Sequence, residues 1–122
     1  MNEGTRTTEE TLGQKQRRFA KLLPRLIDKA HELGFEVSLG DAYRDPRVHG
    51  EFGVKEGYGA ARSCHKLRLA VDLNLFKHGE YLDGSVHHKE LGEWWEKQGP
   101  DHVWGGRFRD GNHYSIEHNG AK

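Results

Sequence analysis

At 122 residues the chain suits one modest core and is too short for a catalytic unit joined to a second folded module. Its 19 Lys and Arg balance 19 Asp and Glu, so no basic field draws it to nucleic acid, a membrane or an anionic polymer, and nuclease chemistry is disfavoured. The 34% hydrophobic content is low, yet 16 glycines and three tryptophans accompany it, which points to a loop-rich globular protein rather than to disorder.

A single monomeric domain over residues 1–122 is therefore expected, with residues 1–6 as a flexible tail. The N-terminal segment has no apolar stretch of the signal-peptide kind, and no later run reaches bilayer length, so synthesis in a cytoplasm without a leader is expected. Thr7, Thr8, Glu9 and Glu10 have the form of a capping box. Phe19, Leu22, Leu23, Leu26, Ile27, Ala30 and Leu33 then recur at three- and four-residue steps, which predicts an amphipathic helix stopped by Gly34. Pro24 removes a backbone donor inside that pattern, so a kink or two helices meeting near Leu23 is expected. Residues 35–39, FEVSL, alternate and predict a strand that delivers Tyr43 and Arg44 to its end. On the residues alone Arg44 is either a cleft residue or a surface arginine paired with Asp41 or Asp45. Residues 46–62 carry four glycines and no period, which predicts a long loop walling a groove, with Phe52 and Tyr58 as contacts. His49 there is a ligand candidate by residue type only.

Residues 69–76 read LAVDLNLF, a β-rich run into which a carboxylate is inserted. A buried carboxylate needs a partner or a cation, and His65, seven residues before Asp72, is a ligand-type side chain. Cys64 is expected to be a small buried residue, because neighbours in an extended segment point to opposite faces and both are not expected to reach one ion. A hairpin turn over residues 77–80 and a return strand at Tyr81 and Leu82 follow. Ser85 is expected to cap a helix carrying Val86, Leu91, Trp94 and Trp95 and ended by Gly99 and Pro100. His87 and His88 are read as surface residues, and the two tryptophans as core or groove wall. His102, Val103 and Trp104 form a brief strand before a glycine-rich turn, and residues 114–117 a last one, with His113 at its start. Asp110 suits the turn in its own right, but it also stands three residues before His113. His65, Asp72 and His113 make a two-histidine, one-carboxylate set of the kind that holds catalytic zinc and keeps a fourth position for water, with Asp110 beside it as an acid that need not bind.

Ser63-x-His65, Ala70-x-Asp72 and Trp104-Gly105-Gly106 followed by Asp110-x-x-His113-Tyr114 together resemble the M15 group of zinc peptidases. That group contains D-Ala-D-Ala carboxypeptidases and dipeptidases, and the L-alanyl-D-glutamate endopeptidases that bacteriophages use as endolysins. The resemblance covers residues 35–117. It implies an α+β fold of the hedgehog/D-Ala-D-Ala peptidase-like kind, a small antiparallel sheet with packed helices around a single zinc site. It further implies Zn2+ on His65, Asp72 and His113, Asp110 as general base, and Arg44 of the Tyr43-Arg44 pair holding substrate or developing negative charge. Ser63, Tyr43 and Trp104 would contact substrate. The sequence departs from the group at Arg68, where a glycine is usual three residues after the first histidine. A positive-φ turn retained there would strain an arginine.

For function the resemblance implies zinc-dependent cleavage of the L-Ala to D-Glu bond of the peptidoglycan stem peptide, by an endolysin made in a host cytoplasm and acting on the wall in the periplasm. D-Ala-D-Ala carboxypeptidase activity is the nearest alternative. Two further readings come from other classes. One is a zinc-bearing murein-binding protein without turnover, Arg68 marking the lost activity. The other is a metal-dependent nuclease built on Asn112, His113, His118 and Asn119, against which the neutral charge argues.

Overall fold

The computed structural model describes residues 9–55, 60 and 62–122. The tail at 1–6, Thr7 and Thr8 of the expected capping box, and Tyr58 lie outside the described residues. Helix α1 spans Leu12–Glu32 and is opened by Thr11. The Thr11 hydroxyl accepts the Gln14 N–H at 3.1 Å, and the Gln14 side chain accepts the Thr11 N–H at 2.8 Å. The capping box is thus one helical turn later than expected, next to the first residue of the apolar stripe. The helix also runs unbroken through Pro24, so two helices do not meet at Leu23. Pro24 is exposed, and the carbonyl it cannot serve belongs to the exposed Ala20, where water can take the lost bond. Gly34 turns the chain out at φ +94°.

The remaining elements are strand β1 (Glu36–Leu39), a helical turn α2 (Pro46–His49), β2 (Ala70–Lys77), β3 (Glu80–Tyr81), α3 (Lys89–Glu96), β4 (His102–Trp104) and β5 (His113–Ile116). Short 3₁₀ turns at Cys64–Leu67, Ser85–His88 and Gly105–Phe108 lead into β2, α3 and the turn before β5. The stretch expected to be loop throughout therefore begins with a helical turn, capped by the Asp45 side chain. The fold is α+β, with a small antiparallel sheet in the order β1-β2-β5-β4 and β3 paired to the far half of β2. Among the described residues no helix is long and apolar enough to cross a membrane.

Strand parity explains how the sheet divides its residues. Side chains alternate in β2, and residues directly opposite across an antiparallel pair share a face. Val71, Leu73 and Leu75 are buried with Tyr114, the partner of Val71, against Phe19, Leu26 and Ala30 of α1 and Leu91 and Trp95 of α3. Asp72 lies on the other face, and its direct partner is His113. The register that builds the core thus also brings a carboxylate and an imidazole together on the opposite face. Trp104 pairs with Tyr114 and so belongs to the core face. It is 8% exposed, and its indole N–H donates to the Gly111 carbonyl at 2.7 Å.

Two expectations around α3 are corrected. Ser85 does not cap a helix: no side chain caps the 3₁₀ turn it begins, and its hydroxyl accepts the Gly111 N–H at 3.0 Å. His88 is a core residue, 3% exposed, with Nδ1 2.7 Å from the Tyr114 hydroxyl. The inward turn of a 3₁₀ segment, which polar spacing does not signal, puts it there. Burial, with a smaller push from neighbouring His87, lowers the His88 pKa from 6.5 to about 4. Because the folded value lies below the unfolded one, the stabilisation is complete above about pH 6.5 and is lost as pH falls toward 4. Wild type is expected to lose about 2 kcal/mol more than His88→Gln between pH 7 and pH 5 in urea unfolding. Parallel pH profiles for the two proteins would show that His88 does not titrate in this way.

Candidate metal centre

His65 comes from the 3₁₀ turn Cys64–Leu67, in which its own N–H donates to the Ser63 hydroxyl at 3.1 Å. Asp72 comes from the middle of β2, and His113 opens β5. The connection leaving β1 closes the site from one side. Its Gly40 N–H donates to the Asp72 carbonyl at 2.8 Å, the Asp72 N–H to the Asp41 carbonyl at 2.7 Å, and the Arg44 N–H to the His65 carbonyl at 3.0 Å.

Hydrogen bonds to carbonyl-type oxygens assign the tautomers. His65 Nδ1 is 2.7 Å from the Ala42 carbonyl, and His113 Nε2 is 2.9 Å from the Lys122 main-chain oxygen. Oxygens there can only accept, so these nitrogens carry the hydrogens and leave His65 Nε2 and His113 Nδ1 as bare lone pairs. Those two nitrogens are 3.2 Å apart, and they lie 3.1 Å and 3.7 Å from Asp72 Oδ1. Both imidazoles are buried and Asp72 is nearly so. Three electron-rich atoms turned toward one another in a buried place repel unless a cation, a proton or a metal ion, stands between them. Burial pushes the Asp72 carboxyl up, but where that cation is a proton on the facing His113 or His65 nitrogen, its hydrogen bond and charge outweigh burial and hold the carboxyl well below the usual carboxylate range. His65, Asp72 and His113 can hold a metal ion, and among the described residues they are the group able to do so.

His65 and His113 open on a cleft of about 480 Å³ lined also by Arg44, Arg62, Ser63, Phe108 and Asp110. Asp110 is half exposed, with Oδ2 3.9 Å from His113 Nδ1. Its N–H donates to the Gly105 carbonyl at 2.9 Å and its carbonyl accepts the His113 N–H at 3.0 Å, so the turn holds acid and ligand together. Glycine is needed at 105 because a Cβ would come 2.1 Å from the Asp110 carbonyl oxygen and 2.8 Å from His113 Cβ. At 106 a Cβ would strike the Trp104 ring. The Trp-Gly-Gly motif is thus a packing device that shapes the Asp110 turn, and Trp104, expected at the substrate, does not line the cleft. Arg44 is 13% exposed and bonded to Asp41 (3.2 Å) and the Ser63 hydroxyl (3.2 Å), with Nη2 4.0 Å from Asp72 Oδ2. Arg44 is therefore a cleft residue that keeps the pairing with Asp41, and it is not a surface arginine.

Cys64 is fully buried, as expected, but for another reason: the segment is helical, not extended. Its thiol lies 3.3 Å and 3.2 Å from the Ile116 and Ala121 carbonyls, and burial pushes it up to about 12, which keeps it a thiol. Lys66 is buried as well, its ammonium donating to the Val54 and Glu51 carbonyls at 2.5 Å and 3.3 Å. His49 is buried at the end of α2 and is not among the grouped ligands. Arg62 and Phe108 were missed as cleft residues. Their signal was position, next to Ser63 and inside the turn before Asp110. The Phe108 ring meets His113 edge-on at 5.8 Å. A larger open depression of about 700 Å³ near the N-terminal end of α1 holds Arg18, already bonded to Glu10 and Asp101, and no grouped ligands.

Arg68 keeps the positive-φ turn at φ +59°, ψ +34°, and its guanidinium stacks 4.0 Å from the Tyr43 ring centroid. An αL arginine costs about 1 kcal/mol and an exposed cation–π contact returns about 0.5–1 kcal/mol, so the two nearly cancel. Arg68→Gly is expected to unfold in urea within about 0.5 kcal/mol of wild type, whereas Arg68→Ala keeps the strain, loses the stack and is destabilised by about 0.5–1 kcal/mol. Equal destabilisation of both variants would remove the strain from the account. No protein-family model matches the chain, and no curated protein matches it.

Proposed function

We propose that this protein is a zinc-dependent peptidoglycan peptidase of the hedgehog/D-Ala-D-Ala peptidase-like kind, an endolysin that cleaves the L-Ala to D-Glu bond of the stem peptide from the periplasmic side. The observation that carries the reading is the meeting of two bare imidazole nitrogens and a carboxylate oxygen, with a second, half-exposed carboxylate 3.9 Å from one of them. Two nitrogens and one oxygen suit zinc better than calcium or magnesium, which prefer oxygen alone. The separations of 3.1, 3.2 and 3.7 Å fall near the edge of about 3.3 Å that a tetrahedral ion with bonds of about 2.0–2.1 Å requires. When bound, zinc supplies Lewis acidity, polarising a carbonyl and making water nucleophilic near neutral pH.

The chain's own residues supply the rest. The Ala42 carbonyl and the Lys122 main-chain oxygen hold the two imidazoles in the tautomers that present their lone pairs to the ion. Asp110 Oδ2, exposed to the cleft, takes the proton of the attacking water and returns it to the leaving amine. Arg44, fixed by Asp41 and Ser63, presents a positive charge to the oxyanion or to a substrate carboxylate. Tyr43, 41% exposed and clamped by Arg68, stands on the chain next to that guanidinium.

The test joins zinc analysis to digestion of purified Gram-negative sacculi, with the new termini identified by mass spectrometry. One zinc per chain with a new L-Ala carboxylate and D-Glu amine is the expected result. Released D-alanine would change the assignment to the carboxypeptidase. Zinc without any cut would favour the binding reading, and no zinc would remove the proposal.

A further inference from the structure

The cleft carries a second arginine that the chemistry above leaves unused. Arg62 lines it beside Ser63, three residues before the ligand His65. Its guanidinium lies over the Phe52 ring, 5.6 Å from the centroid, and gives one N–H to the Asn119 carbonyl at 3.0 Å. Both partners are neutral. Among the described residues no carboxylate lies within ion-pair distance of Arg62, whereas Arg44, deeper in the same cleft, is engaged by Asp41 and Asp72. An arginine steadied by a ring face and one carbonyl has already lost much of the freedom that an anion would otherwise have to quench, and most of its five donors remain for a ligand.

The acids near it do not cancel this charge. Asp110 is the one acidic side chain among the described residues lining the cleft, and it has a proton to carry; Asp72 is turned to the two histidines. A divalent ion on the ligands makes the cleft more positive still. A planar guanidinium at the mouth of a cationic cleft fits a carboxylate by its two-pronged geometry.

We propose that Arg62 binds a free carboxylate on the substrate residue next to the bond that is cut, and so makes the cleft selective for acidic peptides over their amidated counterparts. The identity of that carboxylate rests on the peptidase reading. In the stem peptide D-glutamate continues the chain through its γ-carboxyl, which leaves its α-carboxylate free beside the bond to L-alanine.

Calorimetric titration of the zinc-loaded protein with γ-D-glutamyl-L-alanine amide, and with the D-isoglutaminyl compound that differs from it by carboxamide for carboxylate, isolates this contact, since the glutamyl amine is free in both probes and neither contains the L-Ala to D-Glu bond that is cut. Wild type is expected to bind the acid about 10- to 100-fold more tightly than the amide. Arg62→Gln abolishes the difference, and Arg62→Lys keeps part of it, a point charge without the fork. Zinc content stays the same in all three proteins, which separates loss of the contact from loss of the fold. Equal binding of acid and amide by wild type, binding of neither, or a preference that survives Arg62→Gln overturns the proposal. Hydrolysis of the intact stem peptide is followed alongside. Turnover without an Arg62-dependent preference removes the role of Arg62 alone, and a preference without turnover removes the peptidase reading while the carboxylate site stands.

Discussion

His113→Ala is expected to lower metal affinity by about 10²–10³-fold, since three ligands share a binding free energy on the order of 10 kcal/mol. Elemental analysis after dialysis should fall from one zinc per chain to none. The effect should be this large because the described residues offer no substitute: His65, Asp72 and His113 are the one group placed to hold an ion. The geometry also makes the loss specific to the ring. His113 Nδ1 is aimed by the bond from Nε2 to the Lys122 oxygen, and alanine removes both ends of that device. A second readout comes from stability. Zinc at about 100 times its dissociation constant should stabilise wild type by about 2.7 kcal/mol, a melting shift that His113→Ala does not show. His31→Ala, at an exposed position on α1, serves as the control and should keep both metal and shift. Retention of wild-type zinc affinity by His113→Ala would leave the cluster without its assigned purpose.

Much of this centre can be read along the chain because its parts obey local rules. Asp72 breaks an apolar run, and a carboxylate in such a run has to be answered by a partner. Asp110 and His113 sit in a turn whose glycines are dictated by contact with those same residues, so the motif carries its own packing reason. What was not legible depends on which faces meet. Trp104 precedes the glycines and so invites a place at the substrate, but its pairing with Tyr114 turns it to the helices, and parity between strands far apart in sequence cannot be read from either strand alone. His88 fails in the same way. Its neighbours are polar, yet a 3₁₀ turn puts it against Tyr114 on the core side of β5. Pro24 misled for the opposite reason, since the rule against proline in helices counts a lost hydrogen bond and that loss is small where water can reach the carbonyl.

Asp110→Asn is expected to separate the acid from the ligands. Asparagine keeps the size and the turn preference of aspartate, and the turn itself is held by backbone bonds to Gly105 and His113. The amide has no basicity, so a variant that still folds and still binds one zinc should lose turnover by about 10²–10⁴-fold, with KM little changed, if Asp110 carries the proton between water and leaving amine. Zinc content and turnover must be measured on the same preparation, because the 3.9 Å separation from His113 Nδ1 also brings Oδ2 close enough to compete for the ion. Loss of zinc together with activity would make Asp110 a fourth ligand and leave the cluster closed, as structural sites are. Turnover near wild type with zinc intact would take the base away from Asp110 altogether. No other acidic side chain among the described residues lines the cleft, so the proton would then have to pass through water or through substrate itself. Asp110 is half exposed while the ligands are buried, the division expected between a group that must exchange protons with solvent and groups that must not.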